Sequence, residues 1–258
     1  NLGIARALNQ GLQRAKDRGA EWALTLDQDS LPAPDMVDEL RKAYERIAEP
    51  ERIAVLAAVT VDSARGRPSR FLRKRNALFF RWTACTGAVL EDVTMAITSG
   101  SVQNLAAFAA LGGFREDFFI DYVDTEYCLR AQLRGYRIAV ACTARLEHTL
   151  GNRRGASVAG MRLFPTFHSP ARWYYMSRNR IPMIRTYARQ FPHWFTYDVV
   201  ASTYILLRML LFEGQRREKL KAIWRGTLDG LRARMGPMPG SPEANQAALA
   251  DRSKSAPL

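Results

Sequence analysis

At positions 21–30 the chain reads EWALTLDQDS, an apolar, β-favouring run that ends on Asp27-Gln28-Asp29. A run without polar alternation reads as a strand buried on both faces, the kind that parallel sheets use. Open α/β sheets take their ligands at the carboxyl ends of such strands. Two carboxylates one residue apart at that place call for a positive partner. Mg²⁺ suits them, because it takes one or two carboxylates and completes its shell with water and phosphate oxygens. The competing role is local, since aspartate is common in loops for its own turn chemistry.

The flanking pattern extends the α/β reading. Residues 2–18 form an amphipathic helix with Ile4, Leu8, Leu12 and Ala15 at helical spacing and Gly19 as its stop. After Pro32 and Pro34, residues 35–48 give a second helix with Met36, Leu40, Tyr44 and Ile47 inward. A buried strand is predicted at 53–59 (IAVLAAV), a basic surface loop at 62–75, and strands at 82–90 and 95–98, the last broken by Ser99-Gly100-Ser101. A short helix at 105–111 ends on Gly112-Gly113 in left-handed conformation, and a strand follows at 136–142. The alternation predicts a mostly parallel sheet flanked by helices. Helix then strand is half of a βαβ unit, so a strand ahead of Asn1 is expected.

Beyond Gly151 the character changes. Residues 1–129 hold 16 basic and 18 acidic side chains, whereas 130–234 hold 20 and 5, so the net charge of +13 belongs to the second half. Such asymmetry suggests an anionic partner: membrane lipid, nucleic acid or a phosphorylated substrate. Residues 170–189 read as a helix that mixes Trp173, Tyr174 and Tyr175 with five arginines. Residues 199–212 are apolar but number fourteen, short of the roughly 20 a membrane span needs. They fit an interfacial helix or a core helix equally. Residues 215–234 form a basic helix. The expected organisation is a catalytic core at 1–151, a basic helical extension at 152–234 and a disordered tail at 235–258. Cys85, Cys128 and Cys142 show neither metal-ligand spacing nor a pairing pattern, which predicts reduced thiols in a cytosol-facing protein.

Two further stretches bear chemistry. GGFREDFFIDYVDTEYCLR, residues 112–130, sets Asp121, Asp124 and Glu126 at a helix start among Phe118, Phe119, Tyr122 and Tyr127. Helix capping by Asp121 and first-turn acids explains part of this. Aromatic surroundings also raise a carboxylate pKa and suit a general base. His148 follows the 136–142 strand, and neutral imidazole ligates Mn²⁺ more readily than Mg²⁺.

Together NLGIARALNQG, WALTLDQDSLPAPDM, TSGSVQNLAAFAALGGFREDFFIDYVDTEYCLR and GYRIAVACTARLEHTLG resemble the inverting, nucleotide-sugar-dependent glycosyltransferases of family 2 with a GT-A fold, most closely their rhamnosyltransferase branch. The resemblance covers residues 1–189, and the family's usual opening strand-helix-strand segment is missing. It implies a divalent metal (Mg²⁺ or Mn²⁺) held by Asp29, with Asp27 on metal or ribose and His148 as a further ligand. It implies donor contacts from Asn1, Gly3 and Arg178, and an acceptor side formed by Ser99, Gly100, Asp121 and Glu126. Asp124 falls at the catalytic base, while the Glu that normally precedes it is Val123 here. It also implies a dTDP-rhamnose donor, a lipid-linked saccharide acceptor of a bacterial glycan and a peripheral position on the inner face of the cytoplasmic membrane, with anionic lipid as partner. A nucleic-acid-binding protein or a metal-dependent nucleotide-sugar hydrolase are the rival readings. Nucleic acid is not expected as a partner, because no recognised module is present and the acidic clusters would stand idle.

Overall fold

The computed structural model describes residues 2–62, 66–148, 156–158, 161–163 and 167–242. The first layer runs α1 (Ile4–Asp17), β1 (Trp22–Thr25), β2 (Ser30–Pro32), α2 (Met36–Tyr44) and β3 (Ile53–Asp62). Short strands follow: β4 (Arg67–Pro68), β5 (Arg70–Lys74), β6 (Phe80–Ala84), β7 (Val89–Leu90) and β8 (Ser101–Asn104). Then come α3 (Leu105–Leu111), α4 (Val123–Leu133), β9 (Arg137–His148) and the small pair β10 (Ala156–Val158) and β11 (Met161–Leu163). Three helices close the described chain: α5 (Pro170–Tyr187), α6 (Pro192–Phe212) and α7 (Arg216–Leu231).

The central sheet has the order β1-β8-β3-β9-β2, with β4 added to β3 and β7 to β9. β3 and β9 are the parallel pair, and the other neighbours run antiparallel. The sheet is therefore mixed, not mostly parallel. The reason is β8, which lies between β1 and β3 and opposes both. No strand forms at 95–98; Met95 and Ala96 pack on the core, and Ser99-Gly100 is the turn that starts β8. Along β9, Ile138, Val140 and Cys142 face the core shared with α1, α3 and α4, while Ala139 and Ala141 face the α2 side. Burial on both faces is what the unbroken apolar runs of β3 and β9 encode.

The predicted surface loop at 62–75 carries β4 and β5, and β5 pairs with β6 as a hairpin. Its root is tied to the sheet by a disulfide between Cys85 and Cys142, 57 residues apart, with Cα atoms 5.1 Å apart. The expectation of three reduced thiols is corrected: Cys128 is buried and free, the other two are paired. A loop of that length is worth about 4 kcal/mol in the chain-entropy limit.

The helical extension is not a separate body. Met183, Tyr187 and Trp194 belong to the same core as α1 and α4. α7 lies tightly on α5 because it presents glycines there: a Cβ on Gly226 would stand 2.3 Å from the Tyr174 carbonyl oxygen, and one on Gly230 2.5 Å from that of Arg178. α6 has 21 residues, seven more than the apolar run predicted, since Pro192 starts it and buried His193, Trp194 and Asp198 form its first turns. Residues 235–242 are packed, with the Met238 N–H donating to the Tyr175 hydroxyl at 2.7 Å and the Gly236 N–H to the Asp117 carbonyl at 2.8 Å. The rest of the predicted tail, 243–258, lies outside the described residues, as do Asn1 and 149–155.

Candidate active site

The Asp27–Asp29 turn follows directly from the end of β1. Thr25 Oγ1 donates to the carbonyls of Thr98 (2.6 Å) and Ser101 (3.0 Å), which fixes the strand end. The Asp27 N–H donates to Ser99 Oγ at 3.0 Å, and Ser99 Oγ lies 2.8 Å from Ser30 Oγ. The turn closes with the Ser30 N–H on the Asp27 carbonyl at 3.1 Å. This leaves the Asp27 side chain half-exposed and that of Asp29 exposed. β2 then pairs with β9 in a register that sets Ser30 opposite His148, and β3 sets Asp62 opposite the same residue. The sheet thus brings His148, read from sequence as a ligand, beside the residue after Asp29. Among the described residues no group of three or more His, Cys, Asp or Glu forms a metal cage. An exposed turn with two carboxylates suits a hard cation that takes its other oxygens from water and phosphate.

The second centre opens α4. Asp124 is half-buried, and desolvation raises its pKa above the ordinary carboxylate range. Hydrogen bonds from its own N–H and from those of Thr98 and Thr125 oppose that rise, while the charge of Asp121 adds to it. Asp121 is also raised by burial, against the pull of Arg172, whose Nη2 lies 3.1 Å from Oδ1. Its Oδ2 is buried with no hydrogen-bond partner. Asp124 lines a cleft of about 250 Å³ with Ser69, Arg70, Trp82, Thr125 and Tyr197. A second cavity of about 260 Å³, which holds Asp121, Asp198 and Ser202, shares Met95, Thr125 and Tyr197 with the first.

One loop joins the two centres. The Thr98 N–H holds the Asp124 carboxylate, the Thr98 carbonyl takes the Thr25 hydroxyl, and Ser99 holds the Asp27 amide. Ser99 and Gly100 are therefore a strut, not an acceptor wall. Gly100, at φ +75°, sits so close to β9 that a Cβ would meet the Leu146 side chain at 2.6 Å.

The segment that delivers Asp121 and Asp124 is held in unfavourable backbone. Phe119, Asp121 and Tyr122 have φ of 65°, 61° and 62°, each costing about 1–3 kcal/mol. Asn179 Nδ2 secures it with three bonds, to the carbonyls of Phe118 (3.0 Å), Ile120 (2.8 Å) and Asp121 (3.0 Å). Arg178 Nη2 adds the carbonyls of Asp117 (3.1 Å) and Phe118 (2.9 Å). The sequence carries no local signal of this bracing role for Asn179, because its partners lie about sixty residues away.

Four further sequence expectations change. Arg178 is fully buried with its guanidinium on carbonyls, and burial lowers its pKa, so it braces the loop and does not face a diphosphate. Gly3, at φ +87°, is a docking point: a Cβ there would meet the Phe119 carbonyl oxygen at 2.7 Å, and the Ile4 N–H donates to that oxygen. Glu126 is buried and takes two bonds from Arg130, each 2.9 Å, and one from the Tyr187 hydroxyl at 2.7 Å, so it is a structural knot and not an acceptor contact. Asp121 does not cap α4; Tyr122 is the capping position, without a side-chain bond.

Comparison with known proteins bears on the family and the fold. The description Glycosyl transferase family 2 matches residues 1–111. Over 237 residues the chain is 28% identical to the dTDP-rhamnosyl transferase RfbF of Shigella flexneri, covering 92% of this chain and 77% of that protein. Among solved structures it is similar to S. aureus TarS 1-349 in complex with UDP-GlcNAc, with TM-score 0.52 and 15% identity over 88% of this chain and 62% of that one. It is also similar to GalNAc-T7 with UDP, GalNAc and Mn²⁺, with TM-score 0.50 and 11% identity over 89% of this chain and 43% of that one. The chain spans less than two thirds of either structure. At these identities the likeness is one of fold, an α/β GT-A-like arrangement with a mixed sheet.

Proposed function

We propose that this chain, whose residues 1–111 match glycosyl transferase family 2, transfers L-rhamnose from dTDP-L-rhamnose, with inversion, to a saccharide hydroxyl of a bacterial cell-surface glycan. The choice of donor is taken from the name of the rhamnosyl transferase relative. The observation that carries the chemistry is the Thr98–Ser99 strut, bonded at once to the Asp124 carboxylate and the Asp27 turn.

In the reaction Asp124 accepts the proton of the acceptor hydroxyl as that oxygen bonds to the sugar C1. The C1–O bond to the diphosphate breaks, and the nucleoside diphosphate leaves with the electron pair. A raised pKa brings the base nearer the hydroxyl it must deprotonate. Asp29 and Asp27, with His148 as a further ligand, would hold the divalent cation; the pairing of Ser30 with His148 in the sheet supports that grouping. Such a cation supplies Lewis-acid stabilisation of the leaving diphosphate. Trp82 and Tyr197 give the cleft aromatic faces on which a sugar ring can lie, and Asp121 lines the adjoining cavity.

Calorimetric titration of dTDP-rhamnose, and of UDP-sugars for comparison, with and without Mn²⁺ tests the reading. Metal-dependent binding of the dTDP-sugar that weakens roughly tenfold in Asp29→Ala is the expected result. Turnover to free sugar without an acceptor would make the protein a hydrolase, and preference for a UDP-sugar would replace rhamnose as the donor.

A further inference from the structure

α6 has two faces with different tasks. Trp194, Tyr197, Asp198, Ala201, Ser202 and Ile205 line the cavity next to Asp121. The opposite face shows Val199, Val200, Tyr204, Leu207 and Leu211 to solvent, 39–64% exposed. Those positions fall on one side of a helix of 3.6 residues per turn. A contiguous apolar stripe of this kind marks an interaction surface. α7, which follows α6 after the corner at Glu213, also exposes Leu220 and Trp224, the latter 67% exposed.

Charge identifies the occupant. Arg217, Lys221 and Arg225 are exposed along α7 beside Leu220 and Trp224, against one exposed acid, Glu218. Glu213, at the corner between the helices, is buried and neutralised by Lys219 at 2.7 Å. Arg208 packs on the edge of the stripe with its guanidinium 5.1 Å over the Tyr204 ring and its Nε and Nη2 buried, so the exposed cations are those of α7. Exposed apolar side chains rimmed by unneutralised cations and an interfacial tryptophan fit anionic lipid.

By length and composition α6 is the one helix among the described residues that could cross a membrane, but its packing forbids it. Asp198 accepts from the Tyr122 hydroxyl (2.6 Å) and Arg180 Nε (2.6 Å), and His193 Nε2 pairs with Thr94 at 3.1 Å. The first two turns are thus locked into the catalytic body. The fourteen residues left after Asp198 span about 21 Å at 1.5 Å per residue, short of a hydrocarbon core of about 30 Å.

We propose that the α6–α7 face is a monotopic docking surface for an anionic bilayer, with α6 lying in the interface plane and the cavity beside Asp121 opening along it. The chemical class of acceptor that follows, a saccharide on a lipid carrier, rests on the transferase reading; the docking does not.

Vesicle flotation of the 258-residue chain tests it, using phosphatidylcholine alone and phosphatidylcholine with phosphatidylglycerol as one lipid in four. We expect binding to the anionic vesicles, weakened by salt, with a blue shift of tryptophan emission that Trp224→Phe reduces. Leu207→Asp with Leu211→Asp should cut the partition by roughly tenfold or more, and Arg217→Gln with Lys221→Gln should remove the salt dependence. Unchanged thermal melting and donor calorimetry of these exposed-site variants show that they fold. No flotation of the parent chain, or equal flotation of the Leu207/Leu211 variant, overturns the proposal. A concentration-dependent dimer that the same variants abolish, without vesicle binding, assigns the face to a second copy and also overturns it. Flotation without donor binding would leave the docking standing and sink the transferase reading alone.

Discussion

The two acidic centres are built in opposite ways. Asp27 and Asp29 sit on an exposed turn held from below by one serine hydroxyl and a few amides. Asp121 and Asp124 are half-buried, the first on left-handed backbone that Asn179 and Arg178 clamp from a helix some sixty residues later and the second in the turn of α4 that follows it. The contrast fits the tasks proposed for them. A cation site has to admit an ion together with the substrate's phosphates, so it needs access. A base has to be a poor carboxylate for water and a good one for a positioned hydroxyl, so it needs desolvation and a fixed direction.

The sharpest break of this contrast is Asp124→Asn. Transfer should fall by about 10²–10⁴-fold with donor affinity unchanged in calorimetry; lost donor affinity would place Asp124 in the donor site. Asn179→Ala comes next. It strips the side-chain donor from three carbonyls of the clamped segment and should lower the denaturant midpoint by the equivalent of about 2–3 kcal/mol, with kcat falling while metal-dependent donor binding persists. If kcat held while stability fell, the clamp would be structural only. Asp29→Ala should weaken metal-dependent donor binding by roughly tenfold and leave the melting temperature close to the parent's, the reverse of Asn179→Ala.

Acidity gives the finest test. Because the folded state raises the pKa of Asp124, its protonated form is favoured by folding. Its contribution to stability is present below the ordinary carboxylate pKa and is lost as pH rises through the raised value. Near neutral pH, Asp124→Asn should therefore melt slightly higher than the parent, and the gap should close as the solution is acidified. The acid limb of kcat/KM should lie above the ordinary carboxylate range. A gap that widened in acid would reverse the assigned direction.

Much of the site was legible because it is written locally. An apolar run ending in acids gives a strand and its tip, although β1 is a half-buried antiparallel edge strand and not the doubly buried parallel strand expected. Gly112-Gly113 stops α3 with both residues at φ 76°, as read. What escaped is non-local or locally unremarkable. β8 is four residues long, and Ser101, Gln103 and Asn104 are polar yet buried, so no hydrophobic pattern announces the strand that makes the sheet mixed. The β5–β6 hairpin is rich in arginine and reads as loop. The Cys85–Cys142 pair depends on a strand and a hairpin root meeting in space. α6 looked short because its first turns mix His193, Thr196 and Asp198 with aromatics. Arg178 was misread because a basic residue in a basic helix suggests phosphate, whereas its partners are carbonyls.

The strut at Thr98 and Ser99 acts as a caliper. The gap between the Asp27 turn and Asp124, which in the proposed reaction separates the leaving diphosphate from the base, is set by a few backbone atoms in one covalent stretch, anchored at one end by a turn amide and at the other by a carboxylate. Substitutions that keep its hydrogen bonds leave the gap unchanged, whereas a single inserted or deleted residue between Ile97 and Ser101 alters it for every substrate at once. Variation in this protein's relatives should therefore be free in composition along the cleft walls and intolerant of length at this one place, and an engineer who wishes to change the acceptor has the hairpin and α6 to work with while leaving those five residues uncut.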